Sequence, residues 1–131
     1  MSNFQFPMSN QDQISNDKRK TFDLVKRTSA FSLYCIKAVK KIKINIINQN
    51  IISQLLRSVT SIGANYMEAD CAESKKDFIH KIGLSKKEAK ETAYWLHLLS
   101  EAESDFKEEG RALWKEAHEL TLIFSAIINK T

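Results

Sequence analysis

Residues 50–70 read NIISQLLRSVTSIGANYMEAD, and the spacing inside this stretch decides the fold. Ile52, Leu55, Val59, Ile62 and Tyr66 are separated by steps of 3, 4, 3 and 4. Such steps line side chains along one stripe of an α-helix, whereas a strand would need alternation with period two. The same rhythm runs before it through Leu24, Thr28, Phe31, Cys35, Ala38 and Ile42. After it come Phe78, Ile82, Ser85, Ala89, Thr92, Leu96 and Leu99, then Leu113, Ala117, Leu120, Phe124 and Ile127. Strand alternation persists nowhere over such lengths, so the chain reads as all-α with four helices.

The breaks between the stripes carry the chemistry that helix starts require, because the first backbone N–H groups of a helix need outside acceptors. Asn45, Asn48 and Asn50 interrupt the pattern, with Asn48 or Asn50 as the expected cap of the second helix. Ser74 with Asp77, and Asp105 with Glu108, have capping-box spacing for the third and fourth. The expected helices cover residues 18–45, 50–71, 75–103 and 106–130. Three Gly and a single Pro, Pro7, leave nothing to break them. A chain of 131 residues with 43% apolar content is sized for one core. Short links then favour an antiparallel, up-down-up-down, left-handed four-helix bundle with crossings of roughly 20°. Residues 1–17, rich in Asn, Gln and Ser, read as a disordered tail in which Phe4, Phe6 and Met8 are suited to docking on a partner.

Several chemistries lack their residues. Cys35 and Cys71 form no C-x-x-C pair, so neither a disulfide framework nor a zinc site is indicated. Of the three histidines, His80 alone has an acidic residue three positions before it, Asp77; His97 follows Tyr94 and His118 follows Lys115. A carboxylate-bridged metal bundle needs two Glu-x-x-His turns, so no metal is expected. Gly63, Gly83 and Gly110 are isolated, giving no phosphate loop, and no Ser sits in a G-x-S-x-G elbow. The reading is a protein with no catalytic residues and no cofactor. The absence of a secretory h-region and of a long apolar run points to a cytoplasmic protein without a membrane partner.

Charge is where the sequence is uneven. The net charge is +4, yet residues 18–45 alone hold nine Lys or Arg against one Asp. Projected at 100° per residue, Lys18, Arg19, Lys26, Arg27, Lys37, Lys40 and Lys41 share one half of the first helix, opposite its apolar stripe. Arg19, Lys26, Arg27, Lys37, Lys40 and Lys41 are therefore the candidate nucleic-acid-binding residues, able to follow successive phosphates of RNA or DNA with release of counterions. The competing reading is a lysine face kept for solubility. Only Tyr34 lies among these cations as a stacking group, so readout of particular bases is not expected.

A second pattern is polar. Arg57, Ser61, Asn65 and Glu68 form a line beside the apolar seam of the second helix, and Lys87, Glu88 and Glu91 lie on the third. Charges at a helix boundary are costly unless paired, so these seven are expected to form a structural network that fixes register. Apolar flanks, among them Val25, Ile36, Val39, Ile51, Leu56, Met67, Tyr94, Trp95 and Leu98, exceed what a small bundle buries and predict a homo-oligomer.

Three stretches then resemble a known family in combination: residues 58–69 (SVTSIGANYMEA), 74–81 (SKKDFIHK) and 87–96 (KEAKETAYWL). They are similar to the bacterial four-helix-bundle family of 23S ribosomal RNA intervening-sequence proteins, and the likeness extends less sharply over residues 22–128. The resemblance implies a homopentameric, barrel-like ring. It also implies a role like that of relatives that assist the reverse transcriptase of diversity-generating retroelements, with a polymerase and nucleic acid as partners. It supplies no catalytic residues. The chain departs from the family at Gly83-Leu84-Ser85, where a glycine costs about 1 kcal/mol of helix relative to alanine. A scaffold that binds only protein is the alternative function.

Overall fold

The computed structural model describes residues 17–131, with side chains from Leu24 onward. The tail expected over residues 1–17 lies outside the described residues except for Asp17, which opens the first helix. The helices are α1 (Asp17–Val39), α2 (Gln49–Asp70), α3 (Lys75–Ala102) and α4 (Lys107–Lys130), with a 3-10 turn over Ser104–Phe106 leading into the last. No strand occurs among the described residues.

α1 stops at Val39, six residues short of the expected end at 45. The backbone tightens there, with Lys41 N–H donating to the Ala38 carbonyl (3.3 Å) and Ile42 N–H to that of Val39 (3.0 Å). Beyond this, Ile42, Ile44, Ile46 and Ile47 are β-branched, and Asn45 and Asn48 favour caps and turns, a composition poor in helix formers. No side chain caps α2 as expected of Asn48 or Asn50; the Asn45 Oδ1 instead accepts from the N–H groups of Ile47 (2.9 Å) and Asn48 (2.8 Å) in the turn that precedes the helix. Asn48 makes no cap bond and is fully buried. Its Oδ1 accepts from Asn45 N–H, and its Nδ2 donates to the Lys43 carbonyl and to Glu103, each within 3.0 Å.

The other two starts differ from each other. Ser74 Oγ accepts from Asp77 N–H at 3.0 Å, as its spacing predicts. The expected Asp105 cap is not formed; no side chain caps either the 3-10 turn or α4. There the chain is anchored by Phe106, only 3% exposed, so burial of a ring replaces the missing polar contact.

The four stripes meet in one core. Phe31, Leu55, Ile62, Ile82, Leu96, Leu99, Leu113, Leu120 and Phe124 are completely buried, each worth about 1.5–3 kcal/mol of apolar transfer. The end members Ile42, Phe78 and Ile127 are only partly buried because helix ends lack a full ring of neighbours. Thr28, Ser58, Ser85 and Thr92 also lie in the core, and each hydroxyl donates to a backbone carbonyl. Bonds of this kind remove the cost of burying them.

Cross-helix contacts set the register. Between α2 and α3, Glu68 meets Lys81, the Ile62 carbonyl meets Ser85, and Ser58 meets Thr92, so positions recede along one helix as they advance along the other. Ser32 Oγ of α1 donates to the Val59 carbonyl of α2 (3.1 Å). α1 reaches α4 through Arg27 with Glu116, and Lys41, just past the end of α1, pairs with Glu109.

Candidate nucleic-acid interface

The cationic face of α1 is built by exclusion, since Leu24, Phe31, Cys35 and Ala38 turn inward and leave the opposite side to solvent. Lys26, Lys37 and Lys40 are exposed there. Arg19 belongs to α1, but its side chain lies outside the described residues.

Arg27 and Lys41 do not join this face as free cations. Arg27 is 19% exposed and donates from Nε and Nη2 to the two oxygens of Glu116 (2.7 and 2.8 Å), and from Nη2 to Glu119 (2.7 Å). The Glu116 hydrogen bond, partly opposed by burial, holds the guanidinium pKa above its already high value. Lys41 Nζ lies 3.0 Å from Glu109. The reason is geometric: with Leu24 at zero, Arg27 projects to about 300°, the flank that α4 covers, and Lys41 falls after the helix has ended. Projection of a single helix cannot show a neighbour's carboxylates.

The polar line divides into two clusters. Arg57 bonds Glu88 (3.3 Å), Glu91 and Gln54 (3.0 Å), and Trp95 Nε1 also donates to Glu91 (2.9 Å). Glu68 pairs instead with Lys81 (2.6 Å), whose pKa is raised chiefly by that hydrogen bond. Ser61 and Asn65 turn back on their own helix, donating to the Arg57 and Ser61 carbonyls. Lys87 is exposed and enters neither cluster. Lys81 had no signal in the sequence pattern because its partner lies on another helix, whereas Gln54 and Trp95 bond residues three and four positions away on their own helices.

Other reactive groups are dispersed. Among the described residues no group of three or more His, Cys, Asp or Glu gathers as a metal site requires. Cys35 is buried, and desolvation pushes its thiol pKa up; Cys71 is exposed at the end of α2. The three histidines are exposed, and His118 stacks on Trp114 with ring centres 5.2 Å apart and planes 5° from parallel. An open cleft of about 420 Å³ between α3 and α4 is lined by His97, Glu101, Lys107, Arg111, Trp114 and Lys115, with Ser100 and Gly110. No helix among the described residues is long and apolar enough to cross a membrane.

Comparison with solved structures finds a crystal structure of a protein with unknown function from the S23 ribosomal protein family of Bacteroides thetaiotaomicron VPI-5482. It is 32% identical, with a TM-score of 0.73, and the match covers 84% of this chain and 98% of that one. No curated protein matches. The sequence pattern of the family described as 23S rRNA-intervening sequence protein matches residues 20–126, most of the chain and all but the edges of the four-helix core. On that match, and on the shared helical fold, the chain belongs to the 23S rRNA-intervening sequence protein family.

Proposed function

We propose that the protein is a non-enzymatic, homo-oligomeric accessory factor that binds RNA or DNA through the outer face of α1. The observation that carries this reading is the exposure of Lys26, Lys37 and Lys40 on the side of α1 away from the core. Lys40 sits just past the helix end and is exposed. Cations spaced along a helix contact phosphates without reading bases, which suits an accessory role.

The assembly that accompanies this reading is an antiparallel, up-down-up-down, left-handed bundle repeated in a ring, a pentamer by resemblance to the family. The cross-helix pairs support the antiparallel order, and a bacterial cytoplasm with a polymerase nearby is the setting. Exposed Leu33, Ile46, Ile47 and Leu122 support association, since groups this apolar favour cover by another surface.

The experiment is a salt titration of RNA and DNA binding. Changing Lys26, Lys37 and Lys40 together to Glu should abolish most binding and flatten the salt dependence by roughly two to three units of log slope, with helix content unchanged. Binding that ignores salt, or survives the triple change, overturns the reading. Leu33, 54% exposed within the lysine face, favours a second reading, a scaffold for an acidic protein. Association with that protein would then persist after nuclease treatment.

A further inference from the structure

The cleft between α3 and α4 sets one stripe of α4, carrying Lys107, Arg111, Trp114 and Lys115, against His97, Ser100 and Glu101 of α3. Trp114 lines it and is 40% exposed. Its indole plane is held by His118, one turn along α4 and nearly parallel to it. Lys107, Arg111 and Lys115 line the same cleft. Glu101 is the one carboxylate lining the cleft, and it lies 3.9 Å from Lys107. Arg111 and Lys115 form no ion pair among the described residues. On the floor, Ser100 is 8% exposed, and its hydroxyl has no hydrogen-bond partner.

A flat aromatic group in a cleft lined by cations is complementary to a flat base on a phosphate chain. Stacking uses the π-face that every base presents, and neighbouring Lys and Arg take the backbone charge. Only an unpaired base offers that face, so a duplex is a poor fit. Each cation beyond those that Glu101 offsets adds attraction that an uncharged peptide would not use.

We propose that this cleft binds single-stranded nucleic acid, with Trp114 stacking on one base and Arg111 and Lys115 holding the adjoining phosphates. The site shares its class of partner with the α1 face but none of its residues, so either surface can fail without the other.

The test uses the full chain and a fluorescent oligouridine of about 12 nucleotides, a length within the range of known single-strand sites. An abasic strand of equal length serves as control, and binding is read by anisotropy. Trp114→Ala should weaken oligouridine binding about tenfold, while Trp114→Phe keeps most of it. The abasic strand should bind wild type and Trp114→Ala alike, and Arg111→Glu with Lys115→Glu should weaken both strands. In a chain carrying Glu at 26, 37 and 40, any remaining oligouridine binding should still depend on Trp114; remaining binding that ignores Trp114 counts against the cleft. Equal oligouridine affinity for wild type and Trp114→Ala overturns the proposal. So does Trp114→Ala dissociating the protein into monomers by light scattering, which would make the cleft a contact between copies.

Discussion

Arg27 grips Glu116 with both prongs of its guanidinium, at 2.7 and 2.8 Å, and this fork ties α1 to α4. Glu116 is only 6% exposed, so its charge has exchanged water for the arginine. Arg27→Ala leaves that carboxylate buried and unpaired, and urea unfolding should show a loss of about 2–4 kcal/mol. Arg27→Ala with Glu116→Ala should be less damaging than the two single losses added together. A strictly additive double variant would show that the groups do not act as a pair.

Two glycines in helices predict opposite outcomes. A Cβ at Gly110 would lie 2.1 Å from Ser100 Oγ and 2.7 Å from a ring carbon of Phe106, whereas one at Gly83 meets nothing within 4 Å. Gly110→Ala should therefore cost about 1–3 kcal/mol by overpacking the α3–α4 contact. Gly83→Ala should stabilise by about 0.5–1 kcal/mol through reduced backbone entropy. Thermal melts of the two variants should move in opposite directions.

The thiols should separate by reactivity. Cys71 should label rapidly in the folded protein, while Cys35, fully buried with its pKa raised by desolvation, should label only on unfolding. A raised folded pKa also means that the protonated thiol stabilises the fold below the ordinary value of 9.0, and that this contribution is lost as pH climbs above it. The gap in stability between wild type and Cys35→Ala should narrow on going from neutral to strongly alkaline pH. An unchanged gap contradicts the shift.

Asn48 is the hub of the α1–α2 connection, bonding Asn45, Lys43 and Glu103 from a fully buried position. Asn48→Ala should cost about 2 kcal/mol, because it strands buried polar groups. Asn48→Asp should cost more, since it places a second carboxylate beside Glu103. Denaturant midpoints of the two variants give the order directly.

Where sequence and structure part company, a neighbouring element is the usual cause. The Ser74 cap was legible because its acceptor and donor lie three residues apart. The caps expected of Asn48 and Asp105 failed: Asn48 is consumed by a distant Glu103, and the start of α4 is held instead by the burial of Phe106. The sequence pattern groups Arg57, Glu88 and Glu91 by residue type, but it does not contain the bonds of Lys81 to Glu68 and of Trp95 to Glu91.

The amino-acid order alone determined that there are four helices, which faces turn inward and where the positive charge concentrates. Helical periodicity and composition are local properties, written into residues three or four positions apart. Only the tertiary structure decided which cations remain available. It spends Arg27 and Lys41 on α4, leaves Lys26, Lys37 and Lys40 in water, and gathers Trp114, Arg111 and Lys115 in a cleft beside α3. The ion pairs join side chains far apart in sequence, and the packing of α4 on α3 is what turns a stripe of neighbouring α4 residues into one wall of a cleft.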